Sequence, residues 1–158
     1  MRLEALAATG HRWHKVKGLT EKDLQHLAEV YIKLEFPYFC ISGMAVCWDT
    51  AFALAALALE IPLIAAIPFK EQESLWPKTE QVKYHEILSR AHEVVYVNDG
   101  SFATWKFQTR NQWMVDRCTK LLALWDGSGG GTANCIRYAQ AMGKPYINVW
   151  EEALALRT

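Results

Sequence analysis

The chain has no apolar run long enough to cross a bilayer. Its alanine- and leucine-rich stretch, Ala51 to Leu59, falls far short of the roughly 20 residues a spanning helix needs. Neither charge is in excess: 17 Lys and Arg balance 17 Asp and Glu, which disfavours wholesale binding to nucleic acid or to an anionic membrane while leaving room for a local basic pocket. The four cysteines (Cys40, Cys47, Cys118 and Cys135) form no C-x-x-C pair, so neither a zinc ribbon nor a disulfide framework is indicated, and no metal-ligand set can be read. The first residues lack the charged, apolar and small-residue order of a signal peptide. A reducing cytoplasm is the expected location. There is no P-loop, no G-x-G-x-x-G after the first strand, and no repeat, low-complexity tract or linker. At 158 residues, 51% of them apolar and 22% charged, the chain is expected to form a single domain over 1–158.

What is present is an alternation of apolar runs and amphipathic segments. Strands are expected at 3–8, 38–41, 63–67, 93–97, 121–125 and 146–150. Helices are expected from Thr20 to about Phe36, then over 49–60, 77–91 and 104–118, and from the glycine-rich turn to Gly143. Thr20 reads as an N-cap, with Asp23 in place of the usual Glu of a capping box. Val82, Ile87 and Leu88 are expected to face the core, with Tyr84 packed beside them. Strand–helix alternation of this kind predicts a Rossmann-like three-layer αβα fold around a mostly parallel sheet of about six strands.

In such a sheet, ligands bind beyond the carboxyl ends of the strands, near the point where strand order reverses. The polar breaks in the sequence fall at those ends: Thr9-Gly10-His11-Arg12, Ser42-Gly43, Pro68-Phe69, Asn98-Asp99, and Asp126-Gly127-Ser128-Gly129-Gly130-Gly131-Thr132. The last is the most informative. A tight turn needs one or two glycines, whereas a glycine run at a helix start leaves backbone N–H groups open to a phosphate or ribose. Arg12 offers a planar fork matched to two phosphate oxygens. Asp49 could accept from ribose hydroxyls or from Arg12, and Asn111 is placed to reach the rim. Phe69 and Trp76 could stack on a base whose edge Gln72 would read. Asp116 could hold Arg12 or Lys120.

These segments also resemble a family. Thr9-Gly10-His11-Arg12 is similar to T-G-[HY]-[RK], and Gly43 to Asp49 to G-x-A-x-G-x-[DE], with Cys47 where glycine is usual. Pro68-Phe69, Gln72, Trp76, Lys83-Tyr84 and Leu88 are similar to P-F-x-x-Q-x-x-x-W…K-Y-x-x-x-L, and Arg110-Asn111 with Asp116 to R-N-x-x-[ML]-[VI]-D. Together they resemble the YpsA-like branch of the SLOG superfamily, Rossmann-like proteins that include the DNA-processing protein DprA and the cytokinin-activating phosphoribohydrolases. The resemblance implies a nucleotide or nucleotide-derived ligand: a mononucleotide, an ADP-ribose-like molecule or a cyclic nucleotide signal, sensed or sequestered. The implied ligand-binding residues are Thr9, Gly10, His11, Arg12, Ser42, Gly43, Asp49, Pro68, Phe69, Gln72, Trp76, Arg110, Asn111, Asp126 and Gly129 through Thr132. Where the glycosidic-bond-cleaving relatives end a similar G-T-x-x-E element in a catalytic glutamate, this chain has Cys135. No catalytic residue is therefore assigned, and binding is preferred to turnover. An enzyme using Asp126, Asp49 or Glu73 as acid or base is the alternative, and single-stranded DNA binding by analogy with DprA is a second. Trp13, Trp105 and Trp113 suggest a homodimer or larger homo-oligomer.

Overall fold

In the computed structural model, residues 3–157 are described. Six strands alternate with helices: β1 (Ala5–Gly10), α1 (Glu21–Glu35), β2 (Phe39–Ser42), α2 (Trp48–Ala58), β3 (Leu63–Ile67), α3 (Lys78–Arg90), β4 (Glu93–Tyr96), α4 (Trp105–Arg117), β5 (Lys120–Leu124), α5 (Gly131–Ala141), β6 (Tyr146–Asn148) and α6 (Trp150–Leu154). A single 3-10 turn at Trp13–Lys15 follows β1. Every strand pairing is parallel, in the order β4-β3-β2-β1-β5-β6. The order runs outward one way from β1 to β4, and the chain then crosses back to set β5 on the other side of β1. The reversal therefore lies between β1 and β5.

The period of two along each strand sorts its side chains into two cores. Leu6, Ala8, Leu122 and Leu124 join residues of α1, α2, α3 and α6. Ala7, Leu121 and Ala123 join Met114 and Val115 of α4 and Cys135, Ile136 and Ala139 of α5. Both faces are thus covered, which is why the inner strands read as continuous apolar runs. Long-range ion pairs tie the first layer together: Lys83 Nζ lies 2.8 Å from Glu21, and Lys120 Nζ 2.8 Å from Glu35.

Thr20 caps α1 as expected: its side chain accepts from the Asp23 N–H, and the Asp23 carboxylate accepts from the Thr20 N–H. The strands and helices differ from the sequence reading by a residue or two at their ends. Three differences go further. β6 stops at Asn148 because the Asn148 side chain turns back to accept from the N–H groups of Trp125 and Trp150, and Trp150 opens α6, a helix too short to show a period. Val82 is 56% exposed, whereas Ile87 and Tyr84 are buried, because the helical stripe of α3 runs through 84 and 87 and leaves 82 outside it. Asp116 holds neither Arg12 nor Lys120. It accepts from the Tyr138 hydroxyl at 2.7 Å, joining α4 to α5.

Candidate functional site

The carboxyl end of β1, at the reversal of strand order, opens into a cavity of about 340 Å³. Four chain segments build it. Ala8 through Arg12, with His14 and Lys15 of the following turn, form one wall. Ala45, in the loop before α2, and Asp49, in the first turn of α2, line it next to that wall. Phe107, Arg110, Asn111 and Met114 come from α4, spaced i, i+3, i+4 and i+7 so that one helix face meets the cavity. Gly129 through Thr132, at the start of α5, close it.

The α5 start is built on glycine. Its N-cap is Gly130, at φ 130, where only glycine is at ease. No side chain caps it, and no acid stands in its first turn. The N–H groups of the first turn are therefore left for an external acceptor, at the positive end of the helix dipole. A Cβ placed on Gly129, Gly130 or Gly131 would meet nothing within 4 Å. The glycines leave open space and are not forced by packing. That is the opposite of Gly10 and Gly43, where a Cβ would lie 2.4 Å from Trp48 Cδ1 and 2.5 Å from Arg110 Nη1.

The glycine turn is held from below. Asp126 Oδ1 accepts from the Ser128 N–H at 2.9 Å and the Ser128 hydroxyl at 2.5 Å, and these bonds, ahead of His11, hold its carboxyl far below the ordinary range. His11 Nε2 lies 2.7 Å from that same oxygen and 3.0 Å from the Asp126 backbone nitrogen. Without a proton, this nitrogen accepts from the backbone N–H; carrying one, in the neutral Nε2–H tautomer or in the imidazolium, it donates to the carboxylate. Burial lowers the His11 pKa, and Asp126 only partly restores it. Lys15 Nζ donates to Ser128 Oγ, strapping the turn after β1 to the glycine turn.

Charge within the cavity is lopsided. Arg12, Lys15 and Arg110 face a single carboxylate, Asp49. Asp49 is buried, and burial pushes its carboxyl up to about 6 against the pull of Arg110, the Ala45 N–H and Arg12. Arg110 is fixed by donating from Nη1 to Gly43 O at 2.6 Å and Ala66 O at 3.3 Å. Asn111 spans the gap to α5, with Nδ2 3.4 Å from Gly131 O.

Of the residues named from sequence, Thr9, Gly10, His11, Arg12, Asp49, Arg110, Asn111, Gly129, Gly130, Gly131 and Thr132 meet in this one cavity. Asp126 braces it from behind. The remainder do not line it. Ser42 is spent on the backbone, donating to Asp49 O and accepting from the Met44 N–H. Gly43 and Pro68 offer carbonyls, to Arg110 and to Asn98 respectively. Phe69 is buried edge-on among Phe102 and Phe107. Trp76 packs edge-on against Tyr84 at 5.3 Å. Gln72 Nε2 donates to Gly43 O at 3.3 Å. Of the carboxylates considered for chemistry, Glu73 lies elsewhere, against His85. Cys135 is fully buried and its thiol is pushed up to about 12, chiefly by burial. Sequence reasoning missed His14, Lys15, Ala45, Phe107 and Met114. The basic pair had no motif to mark it, and the α4 residues could have been found from their spacing with Arg110 and Asn111.

The sequence model of the YspA SLOG family (YpsA) matches residues 41–146, about two thirds of the chain. The chain belongs to the YspA SLOG family. It is 33% identical over 138 residues to the SPbeta prophage-derived protein YoqJ of Bacillus subtilis, covering 77% of this chain and 80% of that protein. A UPF0398 protein of Halalkalibacterium halodurans is 25% identical over 144 residues, covering 82% of this chain and 76% of its own. Among solved structures, DNA processing protein A from Helicobacter pylori, described with a single-stranded DNA binding mode, superposes with a TM-score of 0.66 at 20% identity over 90% of this chain. The Streptococcus pneumoniae DprA gives a TM-score of 0.57 at 17% identity over 99% of this chain. The chain spans 63% and 62% of those two proteins, under two thirds of either. These structures share the fold, and the two relatives are similar in sequence. Among the described residues no helix is long and apolar enough to cross a membrane, and no group of three or more His, Cys, Asp and Glu could hold a metal ion.

Proposed function

We propose that residues 1–158 act as one cytoplasmic SLOG-type domain that binds a phosphorylated, nucleotide-derived small molecule and senses or sequesters it. One observation carries the reading: the uncapped, acid-free glycine start of α5 faces Arg12 and Lys15 across a cavity at the reversal of strand order. The phosphate sits on the α5 N–H groups with Arg12 against its outer oxygens. Asp49 and Asn111 are the lining side chains that would meet ribose hydroxyls, Asn111 by exchanging its bonds to Gln108 and Gly131 O. At about 340 Å³ the cavity is at the small end of ligand sites. That favours a mononucleotide over ADP-ribose or a cyclic dinucleotide, which would have to extend beyond the rim.

An enzyme of N-glycosidic or phosphate-ester chemistry is the second reading. It is supported by Asp49, the one carboxylate in the cavity, whose pKa of about 6 suits proton transfer near neutrality. Cys135 is not its nucleophile, because a buried thiol raised to about 12 carries almost no thiolate. Binding of single-stranded DNA is separable by salt. A groove that neutralises several phosphates loses orders of magnitude in affinity between about 50 and 200 mM salt, and a one-phosphate pocket only a few-fold. Titration of nucleoside monophosphates and of an oligonucleotide at both salts, with products followed by chromatography, tests all three. Retained, salt-tolerant binding of an intact monophosphate is expected. Steep salt dependence or product formation would replace the reading.

A further inference from the structure

We infer that Phe107 is the base-stacking wall of this site, placed one helical turn outward from the phosphate end, so that the ligand carries an aromatic base and is held by it; the inference rests on the cavity reading above. The sequence offered Phe69 and Trp76 for this task, and the structure buries the first and turns the second against Tyr84. Phe107 is the aromatic side chain in the cavity lining besides the two histidines of the β1 turn.

Its position is set by α4. Asn111 lies against Gly131, the first residue of α5, so that turn of α4 marks the depth of the phosphate end. Phe107 is four residues earlier, about 6 Å along the helix axis toward its N-terminus. Because α4 runs back across a parallel sheet, that direction is toward the rim, with room for a ribose between the two ends. A phosphate on α5, a sugar beside Asn111 and a base against Phe107 follow one line along the helix face.

The ring is also held in place. Phe69 and Phe102 contact it edge-on, with centroids at 5.5 and 6.2 Å. Phe69 and Phe102 touch each other at 5.8 Å, closing a triangle. The loop bearing Phe102 is pinned by Lys106, a buried lysine whose Nζ donates to Asp99 O at 2.6 Å and Ser101 O at 2.5 Å. Asn98 Nδ2 adds bonds to Pro68 O and Lys106 O. Phe107 remains half-buried and lines the cavity. A ring fixed in advance loses little rotamer freedom when a base arrives. Stacking accepts any base, because each has a π-face, so discrimination among bases is small beside the gain from having one.

The test is titration calorimetry of the full chain with ribose 5-phosphate and with adenosine, guanosine, cytidine and uridine 5′-monophosphates. The wild type is expected to bind the monophosphates roughly ten- to a hundredfold more tightly than ribose 5-phosphate. Phe107→Ala should bring that ratio to within about threefold, by weakening the monophosphates far more than ribose 5-phosphate. Phe107→Leu, which fills the aromatic triangle better and guards against misfolding of the alanine variant, should also lose most of the ratio. An unchanged ratio in either folded variant, or no ratio in the wild type, overturns the inference but leaves the phosphate site standing. Failure of the wild type to bind ribose 5-phosphate or any monophosphate overturns both.

Discussion

Replacing Asp49 with asparagine should stabilise the protein at neutral pH, by an amount that vanishes in acid. Asp49 is 7% exposed, and burial lifts its carboxyl pKa from 3.8 to about 6, only partly opposed by Arg110, the Ala45 N–H and Arg12. Below about pH 3.8 the group is protonated both folded and unfolded, so it costs nothing. Between about 3.8 and 6 the unfolded chain ionises first and the fold loses stability; above 6 the penalty is complete. A shift of about two units corresponds to roughly 3 kcal/mol. Asparagine keeps the shape and an oxygen able to accept the Ala45 N–H (3.3 Å in the native site), and the Ser42 bond goes to the main-chain oxygen of residue 49, which the change does not touch. Urea unfolding of both proteins from pH 4 to 7.5 measures the difference directly. Asp49→Asn should match wild type near pH 4 and exceed it by up to about 3 kcal/mol at pH 7. A variant less stable at pH 7, or a difference that does not shrink toward pH 4, would refute the reasoning. A cost of this size at a cavity wall is what a binding site tolerates in exchange for function.

Three further outcomes follow from packing and burial. Gly10→Ala should destabilise the fold by about 1–3 kcal/mol, since the added methyl meets the buried Trp48 indole at 2.4 Å; chemical denaturation reads it. Thr20→Ala should cost about 1 kcal/mol through the broken capping box of α1, measured the same way. All four cysteines are buried, with Cys40, Cys47 and Cys135 each raised to about 12. Native protein should therefore react slowly with a thiol reagent at pH 7.5, with four equivalents reacting only on unfolding; one fast equivalent would contradict the burial of one of the four, and its loss in Cys135→Ser would assign it to Cys135.

The layered fold was legible because its signal is local and repeated. Apolar runs such as 63–67 and 121–124 end at polar turns, and each amphipathic helix shows its period. The strand order was less open to view, since nothing local says that β5 lies beside β1. The turn residues before α5 stood out in the sequence because a tight turn needs fewer glycines than stand there, whereas Gly10 after β1 also has a packing reason that only the structure shows, its close approach to Trp48. The aromatic wall was not legible. Phe69 and Trp76 sit in a loop and drew attention, yet the loop folds them inward, while Phe107 looks like any helix residue until α4 is seen to turn that face toward α5. Ser42 and Gln72 show the same limit: the Ser42 hydroxyl is spent on the backbone of the turn into α2, and Gln72 Nε2 on Gly43 O, 29 residues away, uses that residue type alone does not reveal. Lys15 was hidden because a 3-10 turn, not a motif, brings it to Ser128.

The central claim is that a phosphate rests on the start of α5 against Arg12. Native mass spectrometry of the wild type and of Arg12→Ala, each mixed with nucleoside 5′-monophosphates, their parent nucleosides, ADP-ribose and cyclic dinucleotides, tests it most directly. The account predicts an intact phosphorylated ligand on the wild type, absent or greatly reduced on Arg12→Ala, and no adduct with any nucleoside. A nucleoside bound as well as its monophosphate, or a phosphorylated ligand bound equally by Arg12→Ala, would contradict it.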